Sequence, residues 1–222
     1  MPELPLPPLE VRRLGRIPYG EALKYQEELV RLRRKGEVPD QLLLLEHPPV
    51  VTMGTSSQES HLLLSEVERA RKGIELFEVG RGGDVTYHGP GQLVGYPILS
   101  LAPDRKDLHR YLRDLEEVLI TTLASFGIRA KREDGYTGVW AEEGKLAAIG
   151  VRVSSGWITS HGFALNIDPD LDHFSAIVPC GIHDRSVASM VEVLGRPVEP
   201  EEVVPFLIES FKKVFSRRTY VA

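Results

Sequence analysis

"YTGVWAEEGKLAAIGVRVSSGWITSHGFALNI" occupies Tyr136–Ile167, and its reading decides the fold. Three runs, "YTGVWA", "KLAAIGVRV" and "WITSHGFALNI", carry the residue types that favour strands. "EEG" and "SSG" separate them and suit tight turns. Connections this short join antiparallel neighbours, so the stretch predicts a three-stranded meander. In the second run, alternation sets Lys145 on one face with Ala147, Ile149, Val151 and Val153. A lysine is an odd member of that face. Buried, it would be a usable proton carrier; at the mouth of the "EEG" turn, its stem would carry the charge to water.

The neighbouring segments extend the pattern. "GEALKYQEELVRLRRKG" has Tyr25, Leu29 and Leu32 at helical spacing and Gly36 as a stop. "QLLLLEH" is a short apolar run ending at two prolines and reads as a buried strand. "IELFEVG" alternates, and "QLVGYPILSL" is a further strand. "DLHRYLRDLEEVLITTLASFG" is the clearest helix: Asp107 can cap it, Leu108, Leu112, Leu115, Leu119 and Leu123 line one side, and Gly127 ends it. Helical patterns recur around "SVASMVEVL" and "PEEVVPFLIESFKKVF". The expectation is an α/β fold of the α+β type. One domain over residues 1–222 holds a mixed, largely antiparallel sheet flanked by helices.

The chain has 222 residues and a net charge of −5, without the basic footprint of indiscriminate nucleic-acid binding. Local basic clusters such as "RLRRK" at Arg31–Lys35 read as solvated faces, one or two of which could dock an acidic protein. No apolar run approaches the roughly 18 residues that span a bilayer, and the first residues do not read as a secretory signal. The cytoplasm and a monomeric state are the default expectations.

Between two of the strands lies "RGGDVTYHGPGQ", Arg81–Gln92, with four glycines in twelve residues. It matches neither phosphate-loop pattern. A loop lying flat against an extended ligand, offering N–H groups to its carbonyl, fits the density of glycine; a decorated hairpin is the plainer alternative. Cys180 is the only cysteine, in "IVPCGIHDRSVASM". It is either a small buried hydrophobe or a nucleophile activated by the helix expected after it and by a partner base or cation. His88 and His161, each followed by glycine, are candidate partners. A zinc site drawn from His88, His161, His173, Cys180 and His183 is not favoured, because the spacings match no standard cluster.

Taken together, "LLEHPPVVTMG", "RGGDVTYHGPGQLVGYPI", "GKLAAIGVRV", "HGFALNIDPDLDHF" and "IVPCGI" resemble, in order, the signature blocks of the lipoyl(octanoyl) transferase family. They cover roughly residues 40–190. The resemblance implies an α/β domain related to biotin protein ligases and lipoate–protein ligases. It implies an enzyme that takes octanoate from acyl carrier protein and places it on a lysine of lipoyl domains in 2-oxoacid dehydrogenase complexes and the glycine cleavage system, with no cofactor and no metal. Residue by residue, it makes Cys180 the nucleophile and Lys145 its activator and proton shuttle. The acyl-binding loop is Arg81, Gly82, Gly83, Asp84, Val85, Thr86, Tyr87 and His88. Ala148, Ile149 and Gly150 with Gly162, Phe163 and Ala164 complete the pocket, and His161 is an accessory. Three rivals stay open: an ATP-dependent lipoate–protein ligase, a non-catalytic protein that binds the carrier or the lipoyl domain, and a cysteine hydrolase.

Overall fold

A computed structural model describes residues 7–103, 105–178 and 186–221. The meander is present as β8 (Tyr136–Trp140), β9 (Lys145–Ser154) and β10 (Ile158–Asn166), paired antiparallel in that order. It forms three adjacent strands of an eight-stranded sheet. With β1 (Pro8–Arg16), β2 (Asp40–Glu46), β6 (Gln92–Ile98), β7 (Lys131–Glu133) and β11 (Arg218–Val221), the order is β11-β1-β2-β6-β10-β9-β8-β7. β1 runs parallel to both its neighbours, and every pairing from β2 onward is antiparallel.

The four leucines Leu42–Leu45 form an unbroken apolar run because β2 is covered on both faces. Leu42 and Leu44 face α3 (Leu108–Ala124) and α5 (Pro200–Phe215), where Leu115, Leu119, Phe211 and Phe215 are buried. Leu43 and Leu45 face α1 (Tyr19–Lys35), through Ala22 and Leu29. Each such large side chain contributes roughly 1.5–3 kcal/mol by leaving water. The expected helix signals act as read: Asp107 accepts from the Arg110 N–H at 3.1 Å, and Gly36 takes a left-handed φ of 75° to close α1. Leu108 is an exception, 42% exposed at the start of its stripe.

A second sheet, order β4-β3-β5, joins β3 (Val50–Met53), β4 (Glu75–Glu78) and β5 (Val85–His88). The glycine-rich stretch therefore holds a strand of its own. The helical pattern at "SVASMVEVL" shrinks to α4 (Met190–Leu194), capped by Ser189, because Val187 instead bridges to Lys145. The helix start expected just after Cys180 falls at residues outside those described; the first described helix beyond it starts at Met190. Among the described residues, no helix is long and apolar enough to cross a membrane.

Candidate active site

Strand alternation sorts the glycine-rich loop. Val85 and Tyr87 enter the core of the small sheet, where the Tyr87 hydroxyl meets His173 Nδ1 at 2.8 Å. Thr86 and His88 face the other way, into a hollow between the two sheets. Arg81, Gly83 and Asp84 from the loop, Ala148, Ile149 and Gly150 from β9, and His161, Gly162, Phe163 and Ala164 from β10 share its walls. Gly82, Val85 and Tyr87 do not line it. Gly82 instead donates its N–H to the Val151 carbonyl at 2.8 Å and borders an adjoining hollow. Two wall residues were not singled out in the sequence: Tyr19 from α1 lies outside every quoted block, and Tyr96 from β6 lies inside "RGGDVTYHGPGQLVGYPI" with nothing to mark it.

The glycines first serve contact between chains. A Cβ on Gly54 would lie 2.3 Å from the Gly83 carbonyl oxygen, and one on Gly150 would lie 3.0 Å from that of Gly82. Arg81 is only 6% exposed and ties the loop to β3: Nη2 donates to the Thr52 carbonyl at 2.7 Å and to Thr52 Oγ1 at 2.9 Å, and Nη1 donates to the Gly82 carbonyl at 3.1 Å.

The imidazoles at the hollow and the Tyr19 phenol are held neutral near pH 7. Burial lowers the His161 pKa to about 4, with the Arg81 and Arg152 cations adding to the effect. Burial also lowers His47 to about 4, its Nε2 being 2.8 Å from the Tyr96 hydroxyl. His88 falls well below its usual value through burial and then the neighbouring His47 and Arg81. Burial raises Tyr19 to about 12. The two imidazoles lowered to about 4 set a pH window for stability. The unfolded chain takes up their protons below about pH 6.5, while the folded chain resists down to about 4. Stability falls as pH drops through that window, on the order of 4 kcal/mol by pH 5 for the two together. Urea midpoints at pH 7.5 and pH 5 check this. Equal midpoints would mean that the imidazoles are charged in the folded protein.

His88 has a defined tautomer. Asn166 Nδ2 donates to the carbonyl oxygens of Ala188 at 3.0 Å and Lys145 at 3.4 Å, so its Oδ1 is the acceptor for Gln92 Nε2 at 3.0 Å. Gln92 Oε1 then accepts from His88 Nδ1 at 3.3 Å. Gln92 and Asn166 are register partners across β6 and β10. Both lie inside the quoted blocks, which do not single out either one. His161 has a left-handed φ of 55° within a regular strand, an arrangement that costs energy in a non-glycine residue. Its N–H donates to buried Gln26 Oε1 at 2.8 Å.

Lys145 is 6% exposed, so its stem does not carry the charge to open water. The expected alternation is interrupted beside it. Trp140 pairs with Lys145 but Val139 pairs with Ala147, leaving Leu146 as an extra residue. Leu146 and Ala147 both enter the core, and Lys145 does not share the face predicted for it. Its stem crosses Gly138, where a Cβ would lie 2.6 Å from Cε, and its ammonium lies 5.2 Å from the Trp140 ring centre. It borders one hollow with Thr86, Ala148 and Asn166, and another with Gly83, Asp84 and Ile149. Its backbone N–H donates to the Ser186 carbonyl at 2.9 Å, and its carbonyl accepts from the Ala188 N–H at 3.1 Å. Cys180 and His183 lie outside the described residues. Among the described residues, no three His, Cys, Asp or Glu side chains gather as a metal site.

Residues 18–212 match the family model of the lipoyl protein ligase A/B catalytic domain. An octanoyltransferase of Rubrobacter xylanophilus is 52% identical over 208 residues, covering 93% of each chain. One from Gloeobacter violaceus is 52% identical over 202 residues, covering 90% of this chain and 87% of its own. Among solved structures, a Thermoplasma acidophilum protein assigned as a lipoate protein ligase, with lipoic acid bound, has a TM-score of 0.77 at 20% identity. It covers 96% of this chain and 88% of its own. A biotin protein ligase from Aquifex aeolicus reaches 0.52 at 13% identity, covering 93% and 68%. These two likenesses carry the fold alone.

Proposed function

The chain belongs to the lipoyl(octanoyl) transferase family and is an acyltransferase, and from that premise we propose that it passes an octanoyl group from the thioester of acyl carrier protein to a lysine of a lipoyl domain through a thioester on Cys180. The donor domain and the lipoyl domains of 2-oxoacid dehydrogenases and the glycine cleavage system are its partners. It acts as a cytoplasmic monomer over a single domain. The observation that carries the reading is the placement of Lys145. It is buried where two hollows meet, and its backbone is bonded to Ser186 and Ala188, in the stretch of chain that follows Cys180 in sequence.

The chemistry balances in two steps. The Cys180 thiolate attacks the donor's carbonyl carbon, the carrier's sulfur leaves, and Lys145 gives that sulfur a proton. One thioester replaces another, so the step is nearly even in energy. The amine of the acceptor lysine then attacks the new thioester, Lys145 takes a proton from it, and Cys180 leaves as thiolate. An amide forms from a thioester, which is downhill and needs no ATP or other cofactor. The apolar and backbone walls at Ala148–Gly150 and Gly162–Ala164 suit an acyl chain, and donors in the glycine-rich loop can meet its carbonyl oxygen. Arg81, Val85 and Tyr87 serve by holding that loop.

Lys145→Met keeps the stem that lies over Gly138 and removes the charge. Alkylation of Cys180 by iodoacetamide near neutral pH is expected to slow by roughly tenfold, because less thiolate is present. Unchanged kinetics would remove Lys145 from the pair.

A further inference from the structure

His61 is absent from the site described so far, although it joins the two ends of it. Its Nδ1 lies 2.5 Å from Asp84 Oδ2, with the two side chains 15% and 12% exposed. Asp84 Oδ1 is occupied in turn by the N–H of Val85 at 2.7 Å. A carboxylate accepts, so Nδ1 carries the hydrogen, and the ring is fixed in place. Asp84 borders both the hollow beside Thr86 and His88 and the neighbouring one that Lys145 borders. One end of the pair is thus in the glycine-rich loop.

The other end faces the chain that leads to Cys180. The His61 carbonyl accepts from the Val178 N–H at 2.8 Å, and the Leu63 N–H donates to the Ala176 carbonyl at 2.9 Å. Leu62 and Ile177 form an antiparallel bridge between those bonds. In the sequence, Val178 precedes Cys180 by two residues and Ser186 follows it by six. Ser186 and Ala188 are bonded to the backbone of Lys145. The segment carrying Cys180 is therefore tied on its later side to Lys145 and on its earlier side to His61.

We propose that His61, through its bond to Asp84, is a positioning residue for acyl transfer, holding the chain that enters Cys180 against the glycine-rich loop. This rests on the reading of Cys180 as nucleophile. A side chain that only filled space would be replaced by any polar residue of similar size. One that holds a register needs its donor at a given atom. Asparagine places an amide nitrogen close to where Nδ1 stands, whereas glutamine places it near Nε2.

The test compares the wild type with His61→Asn, His61→Gln and His61→Ala. The first readout is the rate of octanoyl transfer to Cys180 from octanoyl-carrier protein. The second is amide hydrogen exchange at Leu63 and Val178. Glutamine and alanine should lower the acylation rate constant by roughly 100-fold, the scale of an ångström-sized misplacement of reacting groups, with the donor KM within twofold of wild type. Asparagine should keep it within about threefold. Exchange at Val178 and Leu63 should be at least about tenfold faster in the glutamine and alanine variants and near wild type in asparagine. Glutamine matching asparagine in both readouts, or a change confined to KM, would overturn the proposal. The exchange measurement needs no turnover. A wild type that never acylates Cys180 would therefore sink the transferase chemistry, while unchanged exchange in all three variants would sink the clamp.

Discussion

Wild-type protein mixed with octanoyl-carrier protein, without ATP and without an acceptor, should gain one octanoyl group in an intact-mass spectrum, and Cys180→Ala should gain none. Hydroxylamine should remove the adduct, since it cleaves thioesters readily and amides slowly. With a lipoyl domain added, Cys180→Ser should transfer octanoate slower by roughly 10³-fold or more, because a hydroxyl is far less ionised than a thiol near neutral pH and a lost nucleophile is among the costliest single changes. The same experiment separates the rivals. A ligase would need ATP and would make an adenylate. A binding protein would tolerate Cys180→Ala. A cysteine hydrolase would form the adduct and then release free octanoate to water, leaving the lipoyl domain unmodified. Cys180 is the only cysteine in the chain, so the adduct has one thiol to occupy. Transfer by Cys180→Ser at near the wild-type rate would end the nucleophile assignment.

The parts of the fold legible in the sequence are those in which a local pattern coincides with burial on the finished sheet. Leu42–Leu45 run apolar without a break because both faces of their strand are covered, and the "EEG" and "SSG" turns force the antiparallel meander. β1 was hidden because prolines and arginines surround its two buried apolar residues, Leu9 and Val11, and because it pairs in parallel with strands distant in sequence. Of the small sheet, β4 was legible in the alternation of "IELFEVG"; the rest was hidden because the strands are four residues long and one of them lies inside the glycine run. The site divides along the same line. Thr86, His88, Ala148 and Gly162 came with the motifs. Tyr96, Gln92 and Asn166 lie inside the quoted blocks without being singled out there, and Tyr19 lies outside them; their place at the site comes from the packing of α1 and the register of β6 on β10, which no spacing along the chain encodes. The motif also says nothing about which of its residues face the hollow. Val85 and Tyr87 turned out to support the loop from behind because a strand alternates.

Gly162→Ala should be the most destabilising single methyl that can be added to the candidate site. Gly162 lies in β10 opposite Gly150 of β9, with β6 on its other side. An added Cβ would stand 2.1 Å from the Gly95 carbonyl oxygen, 2.7 Å from Pro97 Cδ and 3.1 Å from the Gly95 carbonyl carbon. None of these is the end of a flexible side chain. Relief requires β6 to move as a body, and β6 is bonded to β2 on one side and β10 on the other. Gly95 cannot yield alone, because the Phe163 ring packs where its own Cβ would be, at 2.2 Å. Overpacking usually costs about 1–3 kcal/mol, and a clash against backbone in the centre of a sheet belongs at or above the top of that range. For a chain of this size, about 3 kcal/mol lowers the melting temperature by roughly 6–12 °C. Gly20→Ala makes the same chemical change in the first turn of α1, where the nearest atom is Phe77 Cζ at an ordinary 3.5 Å. That variant should be neutral or slightly stabilising, since alanine is the better helix former by roughly 1 kcal/mol. Thermal melts of the two variants beside the wild type decide the matter. If Gly162→Ala melts within 2 °C of Gly20→Ala, there is slack between β6 and β10, and the glycine at 162 is there for what lies in the hollow and not for the strand beside it.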